Sequence, residues 1–352
     1  MTEPLDVAGT DGGRTRNTVY STEYQTRIKY KKGSLVVSTL EQDRRIPLEA
    51  VDAVVMFAGH ITTDAIAECV RRKVRVSVLT RGGKIRFIVG GPIAGNVHLR
   101  AAHHAAASDE IAAIGAARLI VAAKVRNSAT VLRRWAYDHP DSGTSAQLRD
   151  RSDQVLRRVD RVASADDRDV LRGIEGDTAR IYFNGLAEAL AGFNGMGFSG
   201  RSRRPPRDPA NAAMSFCYGL VTSETAGACD AVGLDPQVGF LHQALRAGRP
   251  SLALDLTEEL RALTDRFVVS SIRRGQITPE HFTETPGGAF YLTDEGRRCL
   301  LGLWEDHKNI ALNHGVLGRP VQRWAIPTAQ TTLMARWLRG DLPGYPPFLL
   351  ED

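Results

Sequence analysis

From Thr18 to about Phe87 the apolar positions come in short runs, most of them rich in β-branched residues, the pattern of half-buried strands. Arg27–Tyr30 and Ser34–Ser38 flank Lys31-Lys32-Gly33, which predicts a hairpin turn. Arg44–Pro47, Val51–Phe57, Val74–Leu79 and Ile85–Val89 read as further strands, with a turn at Arg81-Gly82-Gly83-Lys84. One helix interrupts them at Thr62–Arg72, where a Thr cap and Asp64 precede Ala/Ile spacing.

Gly90 to Asn96 is rich in breakers and reads as a joint. From Val97 the period changes to helical. Helices are expected over Ser108–Asn127, over Ala129–Tyr137 after a short interruption, and over Ala146–Ala163. Ser164 is a candidate cap for a helix from Val170 to Ala191. Asp208 and Pro209 open another that runs to Val232. Pro236–Arg246 and Ser251–Ser271 follow as helices, then a minor hairpin around Pro286-Gly287-Gly288 and a helix capped at Thr293. Gly340–Asp352 is Pro-rich and extended.

The expected class is therefore α+β: a small N-terminal β-rich domain (18–90), a linker (91–96) and a larger all-α C-terminal domain (97–352), after a disordered tail (1–17).

Composition narrows the function. Net charge is +6 and the pI about 9.3, a balance that favours an anionic partner, nucleic acid before membrane. No apolar run reaches the roughly 18 residues of a membrane span. Cys69, Cys217, Cys229 and Cys299 form no CxxC pair and read as buried thiols of a reducing, cytoplasmic protein. The Gly-rich joint lacks the Lys-Ser/Thr of a phosphate loop.

Candidate chemistry gathers in Val238–Arg261. His242 precedes a Gly-Arg-Pro turn, and Asp255 and Glu258 follow three residues apart, on one helical face. An imidazole with two carboxylates is a ligand kit for Mg²⁺ or Mn²⁺. A histidine before a turn also fits a structural part, and helix carboxylates are commonly solvated, so both readings stay open on these residues alone. Glu175 sits among Gly173, Gly176 and Ala179, small residues that would let another element approach; it needs a cation, a metal or solvent beside it. Gly200–Asp208 holds Arg201, Arg203, Arg204 and Arg207 in a segment stiffened by two prolines, suited to bidentate contact with phosphates. Arg246 and Arg249 add to it, as do Lys29/Lys31/Lys32, Arg71/Arg72/Lys73, Arg157/Arg158/Arg161 and Arg273/Arg274. His60 is isolated and reads as structural, and the group His98, His103 and His104 lacks carboxylates at ligand spacing and reads as a polar helix surface.

Four blocks resemble the CRISPR-associated integrase family, the metal-dependent endonuclease/integrase subunit of spacer acquisition: IPLEAVDAVVMFAGHITTDAIAECVRRKVRVSVLTRGGK, EGDTARIYF, GRSRRPPRDPANAAMSFCYGLV and GLDPQVGFLHQALRAGRPSLALDLTEELR. The resemblance covers about Tyr20 to Phe348. It implies an N-terminal β domain joined to an all-α domain. It also implies that Glu175, His242 and Glu258 hold Mg²⁺ or Mn²⁺, and that Asp255 supports them or is an occasional ligand. The implied reaction is attack of a 3′-hydroxyl on a phosphodiester of the CRISPR repeat, or nicking when water attacks. The implied partners are double-stranded DNA, a second copy of the chain in a homodimer, and a small ferredoxin-like CRISPR-associated subunit. A DNA-binding scaffold of the same fold, with weak or no catalysis, is the alternative. An unrelated helical metalloenzyme is disfavoured by the dispersed arginines.

Overall fold

In a computed structural model the described residues are 17–91, 97–140, 143–193, 195–202, 204–242 and 248–351. The expected tail, but for Asn17, and the joint, but for Gly91 and its neighbour Gly90, fall outside them.

The N-terminal part holds two four-stranded sheets. β2 (Arg27–Lys31), β3 (Ser34–Ser38) and β4 (Asp43–Pro47) pair antiparallel, and β6 (His60–Ile61) adds in parallel to β2. The β2–β3 turn uses Lys32 at φ 46° and Gly33 at φ 79°, the left-handed pair that a two-residue hairpin loop requires. In the second sheet β1 (Thr18–Ser21), β5 (Ala53–Met56) and β7 (Arg75–Leu79) run parallel, and β8 (Ile85–Val89) closes it antiparallel. β5 is buried at every position, because both faces of the sheet are covered. One face shares a core with Ile28 and Leu35 of the other sheet and with Ala65 and Cys69 of α1 (Thr63–Arg71). The other face, through Val55, Phe57 and Leu79, belongs to the core of the helical part.

The rest of the chain is mostly helical. α2 (Val97–Ser108) leads to α3 (Glu110–Asp138), a single helix where an interruption near Asn127 was expected. Asn127 does not break it because its side chain is engaged inward: Nδ2 donates to the carbonyls of Glu259 (2.8 Å) and Phe348 (3.0 Å). α4 (Ser145–Leu156) and α5 (Val159–Ala163) replace the one helix expected there. α6 (Arg168–Ala189) is capped by Asp167, which accepts from the N–H groups of Asp169 and Val170, so Ser164 is not the cap. α7 (Pro209–Val232) starts at Asp208 and Pro209 as the sequence predicts and ends at Gly233, φ 93°. α8 (Ser251–Arg273) follows. The β7–β8 turn lies directly on α7: a Cβ on Gly219 would stand 2.0 Å from the Gly83 carbonyl oxygen, so only glycine fits there.

Beyond α8, the expected hairpin forms as β9 (Phe282–Glu284) and β10 (Phe290–Leu292), followed by α9 (Asp294–Lys308) capped by Thr293. A second hairpin, β11 (Ala311–His314) with β12 (Arg319–Gln322), corrects the all-α expectation for this part of the chain. Its sequence signal is the pair Gly315 and Gly318 between Ala311–His314 and Arg319–Gln322. α10 (Ile326–Leu338) precedes the extended C-terminus. That terminus is tied beside α8, where the Phe348 N–H and the Tyr345 hydroxyl donate to the buried carboxylate of Glu259 (2.7 and 2.8 Å).

Candidate metal centre

Three helices bring one charged side chain each to a common point. Lys124 comes from α3, Glu175 from α6 and Glu258 from α8. The Lys124 ammonium contacts Glu175 Oε1 and lies 2.6 Å from Glu258 Oε2. Glu258 is 3% exposed and Lys124 12%, whereas Glu175 keeps 26% and His242 21%, so the latter two face the opening. Arg261, one turn along α8, places Nε 2.8 Å from the same Glu258 oxygen.

The electrostatics follow from this crowding. Burial alone would push the Glu258 carboxyl up, but Arg261, Lys124 and His242 together hold it well below the usual carboxylate range. Burial would likewise push the Lys124 ammonium down, and Glu258 and Glu175 reverse that and hold it up. Glu258 and Lys124 are thus both ionised at neutral pH.

His242 is not on a helix. Pro236–His242 forms turns and bends, and the remainder of the helix expected over Pro236–Arg246 lies outside the described residues. The cause is Asp255. Its carboxylate has no exposed surface and gathers the loop around itself: Oδ2 accepts from the N–H groups of Phe240 (2.6 Å) and Leu241 (2.9 Å), and Oδ1 from that of His242 (3.0 Å). Three backbone donors on one buried carboxylate are worth more than the intrahelical bonds they replace. Oδ1 also meets Nδ1 of the His242 ring at 2.6 Å, which leaves Nε2 for anything in the opening. Gly239 permits this wrap, since a Cβ there would stand 2.6 Å from the His242 carbonyl oxygen and 2.8 Å from Asp255 Oδ2.

The donor set fits a divalent ion in kind. Oε2 of Glu258 is buried and accepts no well-aligned hydrogen bond, although two cations lie alongside. Glu175 offers a second hard oxygen and His242 a nitrogen oriented by a carboxylate. Among the described residues, however, no three of His, Cys, Asp and Glu already surround one point; the position between the carboxylates is held by Lys124. Among the described residues nothing packs on Gly173 or Gly176, where an added Cβ meets no atom within 4 Å. The small residues around Glu175 thus border open space rather than another element.

The arginine segment divides. Arg201 is engaged internally, donating to Asn211 Oδ1 (2.6 Å) and Ser215 Oγ (2.9 Å), with its guanidinium 5.3 Å from the Tyr218 ring centre. Arg261 approaches the same ring, at 4.6 Å, so Tyr218 links the basic segment to Glu258. Arg204 and Arg207 are exposed, and Arg207 donates to the Gly287 carbonyl (2.7 Å). Arg249 is half-buried at the start of α8. Arg203 and Arg246 lie outside the described residues. Two other basic clusters are partly offset locally, Arg71 and Arg72 by the one carboxylate of Glu68 and Arg158 and Arg161 by that of Asp177.

Sequence reasoning did not single out Lys124, Arg261 or Tyr218. Lys124 carried a signal, as a lone cation in the apolar run Leu119–Val125 of a buried helix.

The fold is α+β, with two helix carboxylates meeting a lysine of a third helix beside a loop histidine and a basic segment, and the family match says which class this is. A family described as CRISPR associated protein Cas1 matches residues 19–306, and the chain belongs to that family. It is 41% identical over 345 residues to the CRISPR-associated endonuclease Cas1 2 of Rhodospirillum rubrum, covering 94% of this chain and 98% of that one. It is 36% identical to the CRISPR-associated endonuclease Cas1 1 of Moorella thermoacetica, covering 95% and 98%. The fold is shared with a casposase bound to integration product (TM-score 0.81, 22% identity, 94% of this chain and 93% of that one). It is also shared with a CAS1 protein from Thermotoga maritima (TM-score 0.79, 20% identity, 96% and 100%). Among the described residues no helix is long and apolar enough to cross a membrane.

Proposed function

We propose that this chain is a metal-dependent DNA endonuclease and integrase that inserts short DNA segments into a CRISPR array. The observation that carries the reading is the convergence of Glu175 and Glu258 on one buried cation beside a histidine fixed by Asp255. Glu175, His242 and Glu258 would hold Mg²⁺ or Mn²⁺, with the Lys124 ammonium displaced from between the carboxylates. When bound by these residues, a divalent ion would supply Lewis acidity to a phosphoryl group and to an attacking 3′-hydroxyl or water. Asp255 acts as a positioning residue, since both its oxygens are already engaged. The His242 ring would keep its proton on Nδ1, toward Asp255, and present Nε2 to the substrate side. The open face at Gly173 and Gly176 gives the DNA backbone room to approach Glu175. Exposed Arg204 and Arg207, with Arg249, would take its phosphates without reading bases.

The names of the relatives support the endonuclease activity. A structural neighbour named as a Cas6-RT-Cas1–Cas2 complex supports assembly with a small CRISPR-associated subunit. A homodimer acting on double-stranded DNA in the cytoplasm is the assembly proposed. The second reading, a DNA-binding scaffold with weak or no catalysis, has one observation in its favour: Lys124 and Arg261 already balance the two carboxylates.

The test is joining of a short duplex with free 3′ ends to a plasmid carrying the repeat, in Mn²⁺. Wild type should join and nick; Glu175→Ala, His242→Ala and Glu258→Ala should not. His242→Ala working as well as wild type would show the assignment to be wrong.

A further inference from the structure

The C-terminal half of α8 borders a cleft that the centre at Glu258 does not use. Its volume is about 500 Å³, within the range of small-molecule sites. Arg266, Arg273, Arg274 and Arg323 line it, against two carboxylates among the described residues, Asp138 and Asp306. Asp138 is shared with Arg134, 3.7 Å away on α3. Arg273 donates to the Ala189 carbonyl (2.6 Å), and Arg323 meets Nδ1 of His307 at 2.8 Å while its Nε is buried with no hydrogen bond. The side chains of Arg266 and Arg274 make no hydrogen bond or ion pair among the described residues. Burial and then the neighbouring cations Arg134 and Arg274 push the Arg266 guanidinium down. Burial followed by Arg266 pushes that of Arg323 down to about 10. A concave surface with more cations than anions is short of negative charge, and a ligand can supply it.

Size and spacing narrow the ligand. Arg266 lies on α8 and Arg274 caps its C-terminus, eight residues on, so their backbones are about 12 Å apart along the axis. Four guanidinium groups round one cleft offer more N–H donors than one phosphate engages, so the cations suit a chain of phosphates better than a lone one. Phe193, Leu303 and Ile310 also line the cleft and supply apolar surface for bases. A volume of this order admits about one or two nucleotides and excludes a duplex. Ser270, in the middle of the lining, is twelve residues beyond Glu258, about 18 Å along α8.

We propose that this cleft is a second nucleic-acid site that binds a single-stranded segment, phosphates on Arg266 and Arg274 and bases against Phe193 and Ile310, apart from the metal centre. The inference rests on the reading that nucleic acid is the substrate, and not on metal chemistry.

The test is fluorescence anisotropy of a labelled oligothymidylate and, separately, of a labelled duplex, with the full chain in EDTA. Arg274→Glu and Arg266→Ala should each weaken oligothymidylate binding by about tenfold and lower its salt slope by about 0.7 for every phosphate no longer bound, while duplex binding changes by less than about twofold. Arg274 is exposed, so its variant tests the site without disturbing the core. Duplex binding with no Arg274-dependent oligothymidylate binding overturns the inference and leaves the proposed function standing; failure of the wild-type chain to bind either nucleic acid overturns the reading beneath it. Thymidine 5′-monophosphate binding as tightly as the oligomer would overturn the polymeric ligand in favour of a free nucleotide. Arg274-dependent binding of an oligoglutamate peptide in place of the oligomer would overturn it in favour of an acidic protein segment.

Discussion

Nδ1 of His242 lies 2.6 Å from Oδ1 of Asp255, a carboxylate with no exposed surface. Because the same oxygen pair also accepts three backbone N–H groups, the ring's orientation and the loop's path are set by one side chain. Asp255→Asn would turn an amide N–H₂ toward a backbone donor or toward the ring. Urea unfolding should then show a loss of roughly 3–5 kcal/mol, and DNA nicking in Mn²⁺ should fall by about 10–100-fold. Nicking at the wild-type rate would separate Asp255 from the site.

Lys124 is the protein's own cation between Glu175 and Glu258. Lys124→Met leaves these carboxylates with Arg261 as the nearest positive charge, and the metal-free protein should lose roughly 3–5 kcal/mol. Mn²⁺ no longer has to displace an ammonium, so it should raise the melting temperature of the variant more than that of wild type. If Mn²⁺ leaves both melting temperatures unchanged, the cluster is an internal ion pair and the scaffold reading gains.

Gly239→Ala tests the loop by steric means. The new methyl group meets the His242 carbonyl and Asp255 Oδ2 at less than 3 Å, so the loop must shift away from the carboxylate. Nicking should drop by more than about tenfold, with a stability loss within roughly 1–3 kcal/mol, the usual cost of overpacking. An active Gly239→Ala protein would mean that His242 needs no fixed position.

His103 on α2 is buried against the Val238 loop, not on a polar helix surface as the sequence suggested, and it predicts a pH dependence of stability. Nε2 donates to the Val238 carbonyl (2.9 Å), and Nδ1 is buried with no hydrogen-bond partner, so a second proton has no acceptor. Burial pushes this imidazole down to about 4. The unfolded chain takes up the proton near pH 6.5, about the ordinary value. The contribution of neutral His103 is thus fully present above about pH 6.5 and is lost as pH falls toward 4, up to about 3 kcal/mol at 1.36 kcal/mol per unit. Urea unfolding at several pH values should show this slope, and His103→Gln should flatten it. A slope unchanged by the substitution would place the titration elsewhere.

Much of the fold was legible because it is written in local chemistry. The two left-handed residues of the β2–β3 turn, the Asp208–Pro209 start of α7 and the Thr293 cap of α9 each depend on residues within a few positions of one another. What failed locally failed for tertiary reasons. Pro236–His242 has a helical spacing of apolar residues, but its N–H groups are claimed by Asp255, more than a dozen residues away. Asn127 looked like a break and is instead bonded across to α8 and the C-terminus.

The site divides the same way. The sequence offers Glu175, His242, Asp255 and Glu258 as candidates, and the family resemblance, not their local surroundings, groups them as one ligand set. It also predicts a basic surface, since net charge and arginine runs need no coordinates. Only the tertiary structure decides which cations remain available. Arg201 is bonded to Asn211 and Ser215, and Arg158 to Asp177, while Arg266 and Arg274 are left facing a cleft. It also brings Lys124, 51 positions before Glu175, between two carboxylates. The reason is range: capping, turn geometry and periodicity act within a turn or two of chain, whereas the pairing of buried charges depends on which helices meet, and that follows from the packing of the whole core.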